Sequence, residues 1–222
     1  NIKKDGIYVD GTLGGAGHSK EILRNLSDKG LLIGIDRDEE AWRAAKQNLA
    51  DFKNVKFIHG NHDDIKQILK DIGIEKVDGI LLDLGVSSYQ LDEKNRGFSY
   101  LGENELDMRM DKTQTLTARA VVNTYKEEDL ANIIYEYGEE KFSRSIAKNI
   151  CIYRKKKEIE TTKELLNIIE KSIPKSKQNS GHPAKKTFQA IRIEVSNEIK
   201  PLEKTVEDCI DVLAPKGRLC II

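Results

Sequence analysis

Two patterns of apolar positions alternate along the first 85 residues. Short aliphatic runs at 7–10, 31–35, 55–58 and 77–82 are typical of strands buried on both faces of a parallel sheet. Between these runs, apolar residues recur every third or fourth position, which predicts helices. A later helical stretch at 197–213 leads into a fifth apolar run that starts at Arg218. The chain therefore predicts an α/β fold with a doubly wound parallel sheet.

The middle of the chain follows the helical period alone. Polar, turn-rich residues at 86–111 predict a long active-site loop, and helices are predicted at 117–124, 127–137, 140–153 and 162–172. Residues 175–186 are rich in Ser, Lys and Gly, which indicates a linker. We therefore expect an all-helical domain at 106–186, inserted between sheet-domain segments 1–105 and 187–222.

A glycine-rich turn follows the first predicted strand. Residues 10–19 read Asp-Gly-Thr-Leu-Gly-Gly-Ala-Gly-His-Ser and lead into a helix, whose first amides have no partner within the helix. Glycines let a ligand approach the backbone closely. Asp36 ends the second strand, and the step from Gly17 to Asp36 is close to the ~20 residues expected between a glycine turn and a ribose-binding acid. The turn predicts a site for a nucleotide-like ligand; the alternative is that its glycines serve packing only.

Polar side chains also follow the third and fourth strands. His59, His62, Asp63 and Asp64 lie in one loop, and Asp83 ends the fourth strand. Loops after parallel strands line the crevice of such sheets, so we expect ligand contacts here. A metal site is the alternative for the first group, but no further His or Cys nearby completes one, and we assign no metal. For Asp83 the alternative is a cap on the following turn.

Charge is unevenly distributed, although the whole chain is neutral. Residues 141–186 contain 13 basic and 4 acidic residues, whereas residues 1–140 contain 19 basic and 27 acidic ones. The basic segment predicts a surface for a polyanion, centred on Arg154, Lys155, Lys156 and Lys157; the alternative is a solvated helix face. No apolar run reaches the ~18 residues of a membrane span. The three scattered cysteines fit the reducing cytoplasm.

Several blocks in the same order resemble the bacterial ribosomal RNA small subunit methyltransferase H family (RsmH, formerly MraW). They occupy residues 8–19, 78–88, 96–99, 106–111, 137–140, 182–184 and 187–195. The resemblance implies a Rossmann-like methyltransferase domain interrupted by a helical domain. It further implies S-adenosylmethionine as cofactor and methylation of the exocyclic amino nitrogen of a cytidine in the decoding region of 16S rRNA, within the small ribosomal subunit.

The resemblance also implies the cofactor contacts. These are Ala16, Gly17, His18, Asp36, His62, Asp83 and Gln90. The chain departs from the family at Tyr89, where Pro is usual, and at His62, where an aromatic such as Phe is common. It begins at Asn1, not Met, and stops within the fifth strand, so we expect the natural protein to be longer.

The chemistry of the reaction indicates which residues to test. An acceptor for the amino hydrogens is needed, and the candidates are Asp83, Asp107 and Asp111, while Arg109 is expected to hold phosphate or a carboxylate bidentately. Two rival functions remain. A nicotinamide-dependent dehydrogenase would also use Asp36 but lacks a hydride-transfer set here, and an RNA-binding assembly factor would use only the basic helices. The sequence does not specify an oligomeric state.

Overall fold

The computed structural model describes residues 2–87, 90 and 96–222. Its strands, in chain order, are β1 (Ile7–Asp10), β2 (Leu31–Asp36), β3 (Val55–His59), β4 (Val77–Leu82) and β5 (Leu213–Ile221). Its α-helices are α1 (Gly17–Asn25), α2 (Glu39–Asn48), α3 (Ile65–Asp71), α4 (Ala118–Thr124), α5 (Glu127–Glu136), α6 (Ser143–Arg154), α7 (Thr162–Ser172), α8 (Lys185–Ser196) and α9 (Leu202–Val212). Within the part of the chain described, no helix has the length and apolar character that crossing a bilayer requires.

The chain forms two compact units. One contains residues 1–89 and 198–222, and the other contains residues 90–197. We call the first the sheet unit and the second the helical unit. These limits differ from the sequence-based ones at 105/106 and 186/187. Helix α8 packs against α5, so it belongs to the helical unit, although the sequence analysis places it with the sheet.

The sheet unit confirms the predicted parallel α/β fold. Its strand order is β3-β2-β1-β4-β5, and every neighbouring pair is parallel. Successive residues of one strand enter different cores: Tyr8 and Leu32 join one cluster, whereas Val9 and Ile33 join the other. Both faces are therefore buried, which explains why the strands read as continuous apolar runs. The order in which successive strands are added to the sheet reverses between β1 and β4, and ligands of such sheets bind at this point.

The fifth strand begins earlier than predicted. It starts at Leu213, which pairs with Val77, and its register with β4 then shifts before Arg218 pairs with Gly79. Residues 214–217 form the irregular stretch, and Lys216 has a left-handed backbone. Pro215 and Gly217 in this stretch are typical of the end of a helix. The apolar pattern alone therefore predicts that the strand starts only at Arg218.

The helical unit is built from α4 to α8. Helix α6 buries Ile146 and Ile150 completely and exposes Arg144 and Lys148 on its outer face, as the helical period predicts. Lys141, just before the helix, is exposed as well. The helix packs between α5 and α7. Residues 175–180, expected to be linker, form a 3-10 helix instead. Outside the helices, the described residues include one antiparallel bridge, between Glu105 and Thr161.

Removing a buried side chain of β2 tests the two-faced core. Ile33 is fully buried, so Ile33→Ala is expected to lower the free energy of unfolding by about 2–5 kcal/mol. Urea unfolding followed by fluorescence of Trp42 measures it, because this is the single tryptophan and it packs on the sheet unit.

The matched control is Ile210→Ala on α9. Ile210 is 59% exposed, so the same change there is expected to cost less than about 0.5 kcal/mol. Equal losses for the two variants would contradict the assignment of the core.

Candidate functional site

A buried carboxylate organises the glycine-rich turn. Asp10, at the end of β1, is only 1% exposed and accepts hydrogen bonds from the Ser19 hydroxyl at 2.6 Å and the Thr12 amide at 3.2 Å. Burial raises the pKa of Asp10, and the Ser19 hydrogen bond opposes that rise. These bonds tie the strand end to the start of α1. The site residues predicted from the sequence do not include Asp10, Thr12 or Ser19.

The turn presents open backbone to one side. Gly14 has a left-handed backbone with φ of 48°, a conformation that glycine adopts without strain, and Ala16 at the start of α1 has φ of 64°. A side-chain carbon added at Gly15 or Gly17 would meet no atom of the described residues within 4 Å. No side chain caps α1 at Ala16. The predicted residues Ala16 and Gly17 thus lie at an uncapped helix start beside free space.

Asp36 connects the turn to the next strand. One oxygen of its carboxylate accepts from the Gly14 amide at 2.7 Å, and the other accepts from the Asp38 amide at 2.8 Å. Burial raises its pKa to about 6, against the effect of the two amides. An ionised carboxylate has about four lone-pair positions, so Asp36 can accept further hydrogen bonds from ligand hydroxyls.

His62 lies beside the first residue of the turn. A side-chain carbon at Gly11 would be 3.0 Å from the His62 Cβ, so the two backbones are close neighbours. The imidazole Nε2 lies 3.5 Å from Asp63 Oδ1, and burial lowers the pKa of His62 although Asp63 opposes this. Burial therefore favours the neutral ring, which offers a flat, partly apolar surface.

Asp83 extends past the end of β4 toward the same turn. Its amide donates to the Thr12 hydroxyl at 2.7 Å, and its carboxylate lies 3.6 Å from His18 Nδ1. The Asp83 side chain is 44% exposed. This accessible carboxylate can receive a proton, and the Thr12 contact holds it beside the glycine turn.

Most of the predicted cofactor residues therefore belong to one edge of the sheet unit. The remaining one, Gln90, is buried within the helical unit. Ser88, Tyr89 and residues 91–95 lie outside the described residues, so the family departure at Tyr89 has no structural counterpart here.

The alternative metal site at 59–64 has other partners for its side chains. Asp63 accepts hydrogen bonds from Thr205 on α9 at 2.7 Å and from Asn61 at 2.7 Å, while His59 contacts the Arg37 carbonyl at 3.2 Å. Among residues 2–87, 90 and 96–222, no group of three His, Cys, Asp or Glu side chains is arranged to hold a metal ion. Asp63 instead fixes this loop to α9.

In the helical unit, Asp107 and Arg109 form a bidentate ion pair. Arg109 Nε and Nη2 donate to the two oxygens of Asp107 at 2.6 and 3.0 Å, and Nη1 donates to the carbonyls of Lys112 and Gln114. Burial raises the pKa of Asp107, but the hydrogen bonds and charge of Arg109 outweigh burial and hold it below its ordinary value. Arg109 thus holds a carboxylate of its own chain, and in this arrangement it is not available to a phosphate.

The neighbouring blocks of this unit support the pair. The buried Arg96 donates to the carbonyls of Arg109 and Met110 at 2.8 and 3.1 Å. Asp111 accepts from the amide and hydroxyl of Thr113 at 2.8 and 2.7 Å, which makes a local turn. Hydrogen bonds therefore join residues 96–99 to residues 106–111, and this contact cannot be predicted from the sequence.

The four-residue basic cluster divides into two kinds of side chain. Arg154 donates to the carbonyls of Val122 and Tyr125 at 2.8 and 2.6 Å, and so caps the end of α4. Lys157 pairs with Glu164. Lys155 and Lys156 are exposed. Arg154 thus has a structural role, and its assignment as an RNA ligand stays a prediction.

Comparison with known proteins gives a consistent result. Ribosomal RNA small subunit methyltransferase H of Clostridium botulinum is 58% identical over 222 residues, which are 100% of this chain and 72% of the relative. Ribosomal RNA small subunit methyltransferase H 2 of Agathobacter rectalis is 57% identical over 225 residues, with the same coverage. A fibrillarin structure from Aeropyrum pernix is 14% identical and aligns with a TM-score of 0.35 over 40% of this chain and 38% of its own.

The family match extends over residues 1–222. Together with relatives that share more than half of the residues, it shows that the chain belongs to the MraW methylase family.

Proposed function

We propose that the protein transfers a methyl group from S-adenosylmethionine to the exocyclic amino nitrogen of a cytidine in the decoding region of 16S rRNA. Methylation of small-subunit rRNA follows from the names of its curated relatives, and the cytidine and its region are the finer part of the proposal. The observation that carries the cofactor part of the proposal is Asp36, a partly buried carboxylate bonded to the glycine turn. A substrate of this kind supports a cytoplasmic enzyme.

The turn has the features that such a cofactor requires. Asp36 would hold the ribose hydroxyls, the uncapped start of α1 at Ala16 and Gly17 would face the methionine part, and His62 would lie against the adenine. The open space beside Gly15 and Gly17 leaves room for the ligand at the backbone. When bound, S-adenosylmethionine supplies a sulfonium methyl group for attack by a nitrogen.

We assign Asp83 as the acceptor of the proton that leaves the cytosine amino group. The lone pair of a cytosine amino group is delocalised into the ring, so an acceptor on an amino hydrogen makes the nitrogen a better nucleophile. Asp83 is exposed, lies at the end of β4 and is tied to the glycine turn through Thr12. Asp107 is the weaker candidate because Arg109 lowers its pKa and occupies both oxygens.

The overall proposal is tested on small subunits that lack this methylation. The subunits are incubated with the protein and S-adenosylmethionine labelled in the methyl group, and the rRNA is digested to nucleosides. Label is expected in N4-methylcytidine alone. Label in another nucleoside would reject the amino nitrogen of cytidine as the methylated atom. Absence of label in rRNA would reject small-subunit rRNA as the substrate.

The Asp36 assignment predicts a loss of cofactor affinity that depends on pH. Asp36→Asn removes a charged acceptor and is expected to weaken S-adenosylmethionine binding by about 1–3 kcal/mol in calorimetry. Because the pKa of Asp36 is about 6 and the ionised form binds, wild-type affinity should fall as the pH drops below 6. The variant should lack this component.

Asp28→Asn is the control, since Asp28 is an exposed acid in the turn before β2. It should keep wild-type affinity at every pH. A wild-type affinity that stays constant between pH 7 and 5 would remove Asp36 from the site.

The Asp83 assignment predicts a defect in the chemical step. Asp83→Asn is expected to slow single-turnover methyl transfer at saturating cofactor by about 100-fold or more, the range of general-base catalysis. Asp107→Asn makes the same chemical change and should alter the rate much less. If Asp107→Asn lost the larger share of the rate while remaining folded, the proton acceptor would be Asp107.

We expect the exposed lysines after α6 to contribute part of the affinity for rRNA. Replacing Lys155 and Lys156 by Gln should flatten the salt dependence of rRNA binding by about 1.4 in the logarithmic slope, since each contact to a single strand contributes about 0.7. Cofactor affinity should stay unchanged. Lys20→Gln with Lys29→Gln, two exposed positions of the sheet unit, is the control. An unaltered slope in the Lys155/Lys156 variant would mean that these lysines serve solubility.

A further inference from the structure

A cleft of about 650 Å³ lies within the helical unit. One wall is the turn between α5 and α6, and the other comprises the 3-10 helix at 175–180, the turn after it and the start of α8. Its volume is within the range of pockets that hold a ligand of nucleotide size. None of the residues given catalytic, cofactor or RNA-binding roles above lines it.

The cleft carries an excess of positive charge. Lys141, Lys177, Lys185 and Lys186 line it, against two acids, Glu139 and Glu140. Glu140 is 8% exposed, and its carboxylate accepts from the Phe142 amide at 2.8 Å, which commits it to the fold of the wall. Lysines from three separate chain segments thus converge on one opening, which suits an anionic ligand.

The two walls are held together by a side-chain hydrogen bond and by a close approach of backbone segments. Lys186 Nζ donates to the Glu139 carbonyl at 2.9 Å. A side-chain carbon at Gly138 would lie 2.5 Å from the Lys186 carbonyl oxygen, so only glycine permits this approach. The cleft therefore exists before any ligand binds, and a ligand would meet it without prior ordering of the walls.

Aromatic rings accompany the lysines. Tyr137, Phe142 and His182 line the cleft, and His182 also stacks on Tyr100 with 4.1 Å between ring centroids. Basic side chains interleaved with rings are typical of grooves that bind single-stranded nucleic acid, because phosphates pair with lysines and bases stack on the rings. An acidic protein segment would use the lysines but would have no particular use for the rings.

We propose that this cleft binds the phosphodiester backbone of a single-stranded segment of the RNA substrate, with a base against its rings. The inference rests on the proposed function for the identity of the RNA, and it adds a second contact surface to that of Lys155 and Lys156. Lys177 and Lys185 are the lysines to test, because both are exposed and Lys186 also holds the wall.

The test is binding of a fluorescein-labelled single-stranded RNA of ten nucleotides to the whole chain, at several salt concentrations. Lys177→Gln with Lys185→Gln should weaken binding roughly 25-fold at 0.1 M salt, the factor for two phosphate contacts, and should flatten the logarithmic slope by about 1.4. Lys177→Arg with Lys185→Arg keeps both charges and should retain most of the affinity.

Lys126→Gln with Lys171→Gln is the matched control, because both lysines are exposed in the same unit and lie outside the cleft. It should bind the RNA like the wild type, and circular dichroism should show the same helix content for all variants. If the cleft variant binds RNA with wild-type affinity and slope, the proposal is overturned. Weakened binding of polyglutamate with unchanged RNA binding would overturn it in favour of an acidic protein segment.

Failure of the proposed function gives a different result. In that case the wild-type protein would not methylate small subunits, whereas the cleft variant would still lose affinity for the oligonucleotide. Conversely, normal methylation of small subunits together with unchanged oligonucleotide binding by the cleft variant would reject the cleft alone.

Discussion

The burial of both faces of the parallel sheet is the constraint on which the sheet unit depends. Consecutive residues of β1 and β2 enter opposite cores, so these strands have no solvated face along which a polar side chain could point. Polar groups can emerge only where the strands end. Asp10, Asp36 and Asp83 occupy those ends, and the glycine turn fills the space between them.

Position at a strand end does not give these acids the same properties. Asp10 is buried and committed to Ser19 and Thr12, Asp36 is largely buried but retains lone pairs, and Asp83 is accessible. Asp10 is thus a structural tie, whereas Asp36 and Asp83 are the proposed ligand acceptor and proton acceptor. The donors that the next loop supplies differ among the three: Ser19 and Thr12 donate to Asp10, and the Gly14 and Asp38 amides donate to Asp36.

Much of the sheet unit could be predicted from the sequence, because its signals are local. Strand periodicity, the glycine turn and the spacing to Asp36 each occupy a short stretch of chain. The backbone partners of Arg109 and Arg154 could not be predicted in the same way. Both guanidinium groups bind backbone carbonyls, and for Arg154 the partners are about 30 positions away in the chain. Counting charges in a segment cannot show which cations the fold has already used. The same limit applies to α8, whose unit is decided by its packing on α5.

The raised pKa of Asp36 also has a thermodynamic consequence for the protein without ligand. A carboxyl with a folded pKa of about 6 and an ordinary value of 3.8 binds protons more tightly in the folded state, so folding becomes less favourable as the pH rises between these values. At neutral pH the charged Asp36 therefore destabilises the fold, on the order of 3 kcal/mol. A ligand whose hydroxyls donate to this carboxylate would offset part of that cost. Binding of such a ligand would therefore raise the free energy of unfolding, and the protein without ligand would be the less stable form.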